Sequence, residues 1–200
     1  MSKFQSTKVI ELGSCAFRQW SAKSHCKNVH GYQLKAKFWF GASSLDEKNW
    51  VVDFAGLKEL KTILQHQFDH TLCIAANDPL LPLFQELHNQ GGCDLRVMEG
   101  VGIEKTAEWC ALAADEFIRK STNNRCWVDQ VEVFEHELNS AIYSTQQQLA
   151  ADVAQSAQPA ERVTIVDQIN SQPTTTSRPA HVGPNNSPGK GDWFKGTSWG

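Results

Sequence analysis

The sequence lacks the features that mark several large classes of protein. No apolar run reaches the roughly 18 residues that a membrane-spanning helix needs, and the stretch MSKFQSTKVIEL has no apolar core of a secretory signal. The net charge is only -3, from 19 Lys and Arg against 22 Asp and Glu, so no basic surface for nucleic acid or anionic lipid is indicated. These absences predict a soluble, cytoplasmic protein with no nucleic-acid partner and no membrane partner.

Cysteine is present, but not with the spacing of a disulfide framework or a zinc finger. Six cysteines stand at positions 15, 26, 73, 93, 110 and 126, and no two form a C-x-x-C pair. Most lie in apolar contexts such as EWCALAA, where a free cysteine behaves as a small buried hydrophobe. The pattern indicates reduced thiols, and Cys26 is the exception because polar residues surround it.

Regularly spaced apolar residues become scarce after Tyr143. Residues 145–200 are rich in Gln, Ser, Thr and Asn and hold five of the seven prolines. Such a segment buries too little apolar surface to offset its ordering entropy. We therefore predict a folded domain at 1–144 and a mostly disordered tail at 145–200. The aromatic segment DWFKGTSWG at the end of the tail either docks on a surface or stays in solution.

Hydrophobic periodicity predicts clustered strands and two helices in residues 1–144. Strands are expected at 7–17, 32–40, 49–54 and 126–137, helices at 57–68 and 103–120, and an irregular stretch at 71–98. In Tyr32–Phe40 one face is apolar, which favours an antiparallel sheet with one buried face. Asp53 is expected to cap the first helix. The order of elements predicts an α+β fold, with a four-stranded antiparallel sheet and two helices on one face.

Reactive side chains are densest in SHCKNVHGY, residues 24–32. If 26–32 is extended, Cys26, His30 and Tyr32 lie on the same face of the strand. Thiolate and imidazole are zinc ligands, and a thiolate beside a base is a nucleophile. The segment is therefore a metal site, a nucleophile with its base, or a strand entrance whose Cys and His are structural.

Two other places carry carboxylates in suggestive positions. Asp69 precedes His70 directly after the first helix, where a carboxylate can orient an imidazole or raise its basicity; the alternative is a solvated pair. Glu135 continues the apolar face of Val131 and Val133, where a carboxylate is costly unless it meets a donor. A planar aminopyrimidinone would offer it two adjacent N–H groups; the alternative is a strand end in water.

Taken in order, these segments resemble a known family. C-x-x-x-H-G, V-V-D-F-x-x-L-K, D-H and V-x-V-x-E follow one another as in the 6-pyruvoyl-tetrahydropterin synthase and 6-carboxy-tetrahydropterin synthase family, over about residues 7–143. The resemblance implies the tunnelling fold, in which such sheets assemble into trimers or hexamers around a central barrel. It also implies a lyase that acts on the small molecule dihydroneopterin triphosphate.

The resemblance assigns catalytic roles to three residues. Cys26 matches the family's reactive thiol. Asp69 and His70 match the Asp–His pair that works with this thiol. The resemblance therefore implies that Cys26 and His70 move protons at the substrate side chain while Asp69 orients His70.

The resemblance also assigns substrate-binding residues. Glu135 matches the glutamate that anchors the pterin ring. A further family glutamate, which opens the second helix, matches Glu104, and Glu108 fits a register four residues later. Arg18, Lys23 and Lys27 are candidates for contact with the triphosphate, and the sequence does not choose among them.

The implied zinc site is where this chain departs from the family. His30 matches one of three zinc histidines, but the family's H-G-H reads His30-Gly31-Tyr32 here. The histidine of the first-strand motif F-x-A-x-H is replaced by Ser21. His25 is the nearest substitute ligand. The resemblance thus implies either Zn²⁺ held by His30, His25 and another group, or a site without zinc, and zinc would polarise substrate oxygens.

Among the family's products, the compact C-x-x-x-H-G spacing favours 6-carboxy-tetrahydropterin, which feeds 7-deazaguanine (queuosine-type) biosynthesis. One alternative is 6-pyruvoyl-tetrahydropterin synthase. A second is a pterin- or purine-binding protein that lost catalysis together with its zinc ligands. A third is an assembly protein that keeps the oligomeric barrel and docks through DWFKGTSWG.

Overall fold

The computed structural model describes residues 2–145, which form a six-stranded sheet and three α-helices. The elements are β1 (Phe4–Phe17), β2 (His30–Ala42), α1 (Lys58–Phe68), β3 (Thr71–Ala75), α2 (Leu81–Asn89), β4 (Leu95–Met98), α3 (Ile103–Ser121), β5 (Cys126–His136) and β6 (Asn139–Ser144). Short 3-10 helices cover His25–Lys27 and Phe54–Leu57. The strand order is β4-β3-β1-β2-β5-β6.

The sheet is built on the two long strands β1 and β2. They pair antiparallel, from Phe4 opposite Ala42 to Phe17 opposite His30. On β2 every second residue from Leu34 to Ala42 is fully buried, because side chains of a strand alternate between its faces. β5 and β6 extend the sheet antiparallel on one side, and β3 and β4 continue it parallel to β1 on the other.

Helices α1 and α3 cover the buried face of the sheet, as predicted. Both meet that face through apolar residues at helical spacing, and they share one core with the strands. The helix residues of this core are Leu60, Leu64 and Phe68 from α1, with Ala107, Cys110, Ala111, Ala114 and Ile118 from α3. The α+β class is therefore confirmed.

Helix α2 covers the opposite face of the sheet, beside β3 and β4. All five residues of β3 are buried, and they alternate between two cores. Cys73 and Ala75 join the main core, whereas Leu72 and Ile74 pack with Phe84 of α2 in a second core. A continuous apolar strand is what burial on both faces requires.

The prediction that 71–98 is irregular is wrong, because this stretch forms β3, α2 and β4. β3 is too short and too uniformly apolar to show a period of two. In α2, Pro82 lies in the first turn, where a missing N–H costs no helical hydrogen bond. The structure thus has six strands and three helices instead of the predicted four and two, because β3, β4, β6 and α2 were missed and the predicted strand at 49–54 does not form.

The predicted strand at 49–54 is wrong as well. The backbone groups that a strand would pair are bonded to side chains here. The Asp46 carboxylate accepts N–H bonds from Lys48 and Trp50, and the Arg125 guanidinium donates to the carbonyls of Trp50 and Val51. Val51 is buried, but as part of a turn that leads into α1.

Asp53 accepts an N–H bond from Ala55 at 2.8 Å, so it caps the 3-10 helix that precedes α1. The prediction of a disordered tail at 145–200 concerns residues outside the described part of the chain, apart from Thr145. Within residues 2–145, no helix combines the length and apolar content needed to cross a membrane.

Candidate functional site

Cys26 lies in the loop between β1 and β2. The prediction that 26–32 is extended is wrong at its start, because His25–Lys27 forms a 3-10 helix and β2 begins at His30. Ser24 caps this short helix by accepting an N–H bond from Cys26. The Cys26 side chain is half-buried, so its thiol is shielded yet accessible.

Aromatic rings gather where β1 ends and β2 begins. Phe17 lies 4.9 Å from the His30 ring and 6.1 Å from the Tyr32 ring, measured between centroids. Tyr32 meets the edge of His30 at 5.7 Å and of His136, from the end of β5, at 6.2 Å. Tyr32 is therefore bracketed by two imidazoles at this end of the sheet.

Glu135 and Cys26 lie close enough to Tyr32 for their charges to shift the pKa of its phenol. Partial burial raises the pKa of the Tyr32 phenol, and the negative charges of Glu135 and of the Cys26 thiolate raise it further. Tyr32 therefore stays protonated at neutral pH and can donate a hydrogen bond. We call Cys26, His30, Tyr32 and Glu135 the Cys26 cluster.

Glu135 occupies the position that the sequence predicted, at the end of an apolar strand face. Its side chain is only 17% exposed. One carboxylate oxygen accepts a hydrogen bond from Asn139 at 2.8 Å and lies 3.6 Å from Nε2 of His136. Sequence reasoning missed His136 and Asn139, although FEHELN places both within four residues of Glu135.

Asp69 and His70 form a second group, between α1 and β3, which we call the Asp–His pair. His70 Nδ1 lies 2.9 Å from Oδ1 of Asp69, and a carboxylate in this position favours the tautomer with a proton on Nδ1, in which Nε2 is the basic nitrogen. Asp69 Oδ1 also accepts the main-chain N–H of Ser14 at 3.1 Å. The His70 side chain is 85% exposed, so its free nitrogen faces outward.

The backbone around the Asp–His pair is tightly constrained. His70 has φ of 58°, a left-handed conformation that few side chains adopt. Its N–H donates to Ser14 O at 2.7 Å. Gly13, at an irregularity of β1, has φ of 104°, and a Cβ there would lie 2.1 Å from Asp69 Oδ1. Only glycine therefore allows Asp69 to approach β1 so closely.

The structure does not bring the Asp–His pair to Cys26 within one protomer. Within residues 2–145, no hydrogen bond or ion pair joins His70 to Cys26. The pair contacts β1 at Ser14, whereas Cys26 contacts the chain at Gln19. Five nearly extended residues separate these points, on the order of 15 Å.

The two candidate glutamates of α3 differ in their surroundings. Glu104 is exposed in the first turn, next to Gly102. Glu108 is partly buried, and its carboxylate accepts a hydrogen bond from Lys105 at 2.6 Å. Glu104 is therefore the one whose charge is free to meet a ligand.

Two histidines lie in the segment where the resemblance implies zinc. His30 donates from Nδ1 to Asn28 O at 2.8 Å, which leaves Nε2 free as a ligand. His25 is exposed in the 3-10 helix. However, among residues 2–145 no three His, Cys, Asp or Glu side chains converge as a metal site. Residues 2–145 of one chain thus do not fit a structural or catalytic zinc site, which needs at least three protein ligands.

Of the three basic candidates for the triphosphate, Arg18 is already engaged. Its Nε lies 2.8 Å from Oδ2 of Asp78, whose side chain is fully buried. Lys23 and Lys27 are exposed in the same loop. Removing Arg18 from this pair would leave a buried, unpaired carboxylate, which is strongly destabilising. The two lysines are therefore the cations that remain available to bind the triphosphate.

A cavity of about 460 Å³ lies at the other end of β1. Its walls are mostly apolar and come from Phe4–Ser6 and from Asn49–Phe54, with Leu45. None of the residues predicted for catalysis, substrate or metal lines it. The chemistry-bearing side chains and this cavity therefore occupy opposite ends of the sheet.

Comparison with known proteins supports the resemblance seen in the sequence. The family described as 6-pyruvoyl tetrahydropterin synthase matches residues 9–146. The 6-carboxy-5,6,7,8-tetrahydropterin synthase of Aquifex aeolicus is 27% identical over 108 residues, which cover 54% of this chain and 65% of that protein. The match thus spans just under two thirds of the relative's length.

Solved structures share the fold. An uncharacterized protein from Wolinella succinogenes superposes with a TM-score of 0.60 at 21% identity, covering 71% of this chain and 98% of that one. The 6-pyruvoyltetrahydropterin synthase of Plasmodium vivax gives a TM-score of 0.51 at 17% identity, covering 70% and 98%. These structures show the shared fold, and the family match over residues 9–146 establishes that the chain belongs to the 6-pyruvoyl tetrahydropterin synthase family.

Proposed function

We propose that this protein is a lyase that converts dihydroneopterin triphosphate to 6-carboxy-tetrahydropterin, for 7-deazaguanine (queuosine-type) biosynthesis. One water molecule is consumed, and triphosphate and acetaldehyde are the other products. The observation that carries the proposal is the Cys26 cluster, which puts a thiol, a phenol and a half-buried carboxylate at one end of the sheet in a chain of this family. The name of the Aquifex aeolicus relative favours the carboxy product.

Glu135 is proposed to bind the pterin ring. Its carboxylate lies at the end of an apolar strand face and is mostly shielded from water. Two adjacent N–H groups of an aminopyrimidinone match the two oxygens of a carboxylate, as a bidentate pair. The Asn139 amide holds one oxygen in place, so the carboxylate is oriented before the ligand arrives. Glu104, exposed at the start of α3, is the second proposed contact.

Cys26 and the Asp–His pair are proposed to move protons at the substrate side chain. Asp69 holds the Nδ1–H of His70, so Nε2 is the nitrogen that takes a proton. Because Cys26 and His70 do not meet within one protomer, we propose that His70 serves the Cys26 cluster of a second copy. A trimer or hexamer would then be required for activity.

Tyr32 is proposed to donate a hydrogen bond to a substrate oxygen. Its raised pKa keeps the hydroxyl protonated, and the hydroxyl has no hydrogen-bond partner among residues 2–145. No step is assigned to zinc, because the side chains in the described part of one chain do not form a ligand set for it. If His30 and His25 do hold Zn²⁺ with a third group, its contribution would be to polarise that oxygen.

Lys23 and Lys27 are proposed to meet the triphosphate. Both are exposed on the loop that carries Cys26. Cations bind phosphate groups through charge-assisted hydrogen bonds. Arg18 is excluded from this role by its buried pairing with Asp78.

The experiment is turnover of dihydroneopterin triphosphate by the full chain, with and without added zinc, with products identified by mass. The expected result is 6-carboxy-tetrahydropterin and acetaldehyde, lost in Cys26→Ala. Cys93→Ala is the matched control, since Cys93 is the other partly exposed cysteine. A pyruvoyl product would replace the proposed reaction with that of the other family branch.

A second function is favoured by one observation, the presence of Ser21 and Tyr32 where the resemblance expects zinc histidines. The chain would then bind a pterin or purine without converting it. Tight pterin binding that depends on Glu135, together with no product under any metal condition, would establish this reading. Turnover that is lost in Cys26→Ala would exclude it.

The zinc departure has its own test. Ser21→His with Tyr32→His restores the ligand types that the resemblance expects, and His30 supplies the third. We expect the double variant to retain about one zinc per chain after dialysis against a weak chelator, because three imidazoles form a complete protein ligand set. Ser21→Ala with Tyr32→Phe is the control. Equal zinc in both variants would contradict the expected placement of these positions.

A further inference from the structure

We propose that Gln19 positions Cys26 by a side-chain anchor, in the part of the chain where the resemblance expects zinc ligands. The inference rests on the proposed function only in treating Cys26 as the reacting thiol. The contacts that carry it belong to residues 17–29 and their neighbours, and they exist whether or not the protein turns over a pterin. Gln19 is a positioning residue in this proposal, since it acts through Cys26.

Gln19 makes two hydrogen bonds that join different segments. Its main-chain N–H donates to the carbonyl oxygen of Cys26 at 2.9 Å. Its side-chain Nε2 donates to the carbonyl oxygen of Val101 at 2.5 Å. Val101 is buried and lies two residues before α3. One residue thus ties the 3-10 helix of Cys26 to the start of the helix that bears Glu104.

Gly102 makes room for this anchor. Its φ is 106°, and a Cβ at this position would lie 2.3 Å from Nε2 of Gln19. Such a contact is far inside van der Waals distance, so any other residue at 102 would displace the amide. The hydrogen bond of Gln19 therefore depends on Gly102, because the absence of a Cβ at Gly102 leaves the space that the Gln19 amide fills.

The residues on either side of Gln19 are anchored as well. Arg18 pairs with the buried carboxylate of Asp78 at 2.8 Å. Trp20 donates from Nε1 to Oδ1 of Asn77 at 3.2 Å. Three consecutive side chains therefore hold the entrance of the loop on two other segments, 77–78 and Val101.

This arrangement accounts for a loop that has lost two expected zinc ligands. Ser21 is exposed and Tyr32 is bracketed by rings, and the described residues contain no group of three metal ligands. Holding a loop in one conformation costs conformational entropy, so contacts other than a metal ion have to offset that cost and substitute for it at Cys26. The hydrogen bonds of Gln19 are that substitute, and they predict that the reactivity of Cys26 does not depend on metal.

The test measures alkylation of each cysteine by iodoacetamide in the full chain, read by peptide mass spectrometry across a range of pH. Gln19→Met keeps the length of the side chain but removes its N–H donor. Gln90→Met is the matched control, because Gln90 also donates from Nε2, to Glu86 at 2.7 Å, but it lies directly after α2, away from Cys26. Zinc and a chelator are added to the wild-type protein in separate arms.

We expect Gln19→Met to alkylate Cys26 about fivefold faster than wild type at each pH, the change that losing one neutral hydrogen bond typically produces. Gln90→Met and the zinc and chelator arms should leave the rate unchanged. Equal rates in the two glutamine variants would overturn the proposal, and so would a wild-type rate that changes severalfold with zinc.

Global unfolding is distinguished within the same experiment. Four cysteines are buried, at positions 15, 73, 110 and 126, and they are alkylated only if the core opens. If Gln19→Met exposes them too, the shorter variant Gln19→Ser is measured at lower temperature, and a rate for Cys26 that rises no more than that of Cys110 counts against the proposal. No substrate is used, so failure of the proposed reaction leaves this test intact.

Discussion

The Cys26 cluster and the Asp–His pair carry the two halves of the proposed chemistry, and they are held in different ways. The Cys26 loop is fixed by side chains, chiefly Gln19 and Arg18. The Asp–His pair is fixed by backbone, through the left-handed His70 and the close approach of Asp69 to Gly13. The half that is held by side chains is also the half that contains Ser21 and Tyr32, where the resemblance expects zinc histidines.

This difference indicates which features of an active site can change and which cannot. A loop held by several side chains can exchange a metal ligand for another contact, one residue at a time. A pair held by main-chain geometry has no such route, because a left-handed residue and a glycine at a strand irregularity are both needed at once. The halves should therefore respond differently to substitution.

The largest effect is expected at the Asp–His pair. If His70 is the base, His70→Ala should lower kcat/KM about a thousandfold, within the range typical for loss of a general base. His66→Ala is the control, since His66 is also exposed and lies on α1, four residues earlier. A steady-state assay on dihydroneopterin triphosphate measures both, and similar losses in the two variants would remove His70 from the mechanism.

The backbone support of the pair gives the next prediction. Gly13→Ala should reduce the free energy of unfolding by about 3 kcal/mol or more, because it adds a clash with Asp69 to the strain of a positive φ. Gly91→Ala adds the backbone strain without a clash, since φ is 77° and no atom lies within 4 Å of where its Cβ would be. It should reduce the free energy of unfolding by about 1 kcal/mol. Urea unfolding compares them; equal losses would show that the approach of Asp69 to β1 is not what requires glycine.

The smallest effect concerns the core that supports both halves, and it is a pH dependence. Burial raises the pKa of the Cys126 thiol from 9.0 to about 11. The folded state thus keeps this proton when the unfolded state has lost it, so stability is full below pH 9 and falls as the pH rises through about 11. The loss is about 2 to 3 kcal/mol, at 1.36 kcal/mol per pKa unit.

The variant Cys126→Ala tests whether ionisation of this thiol lowers the stability at high pH. The variant is expected to be less stable than wild type at pH 8, because a buried side chain is shortened. Between pH 8 and pH 11, however, its stability should fall by about 2 to 3 kcal/mol less. Urea unfolding at several pH values measures the difference, and parallel curves for the two proteins would refute the assignment.

The hydrophobic pattern of the sequence was sufficient to predict the long strands and helices, and the motifs were sufficient to predict which residue types form the site. β1, β2, α1, α3 and β5 follow their predicted ranges within a few residues, because each has one buried face and a clear period. The segments at 49–54 and 71–98 were mispredicted for different reasons. In the first, backbone groups are hydrogen-bonded to the side chains of Asp46 and Arg125 and not to a neighbouring strand. In the second, the sheet is buried on both faces, so the strands show no alternation.

For the site, too, the sequence predicted local features but not contacts between distant segments. Glu135 lies where the apolar face of β5 predicted it, and His70 bonds to Asp69 as adjacent residues can. Gln19 could not be found from the sequence, because its importance depends on a carbonyl 82 residues away. That Cys26 and His70 do not meet in one protomer is likewise a property of the fold, since nothing in the spacing records it.

The central claim is that the Cys26 cluster of one copy works with the Asp–His pair of another. The direct measurement mixes Cys26→Ala with His70→Ala, each inactive alone, after unfolding and refolding them together. If the two groups come from different copies, about a quarter of the sites in a random mixture are complete, and turnover should return to about that fraction of wild type. Refolded mixtures that stay as inactive as either variant alone would contradict the claim.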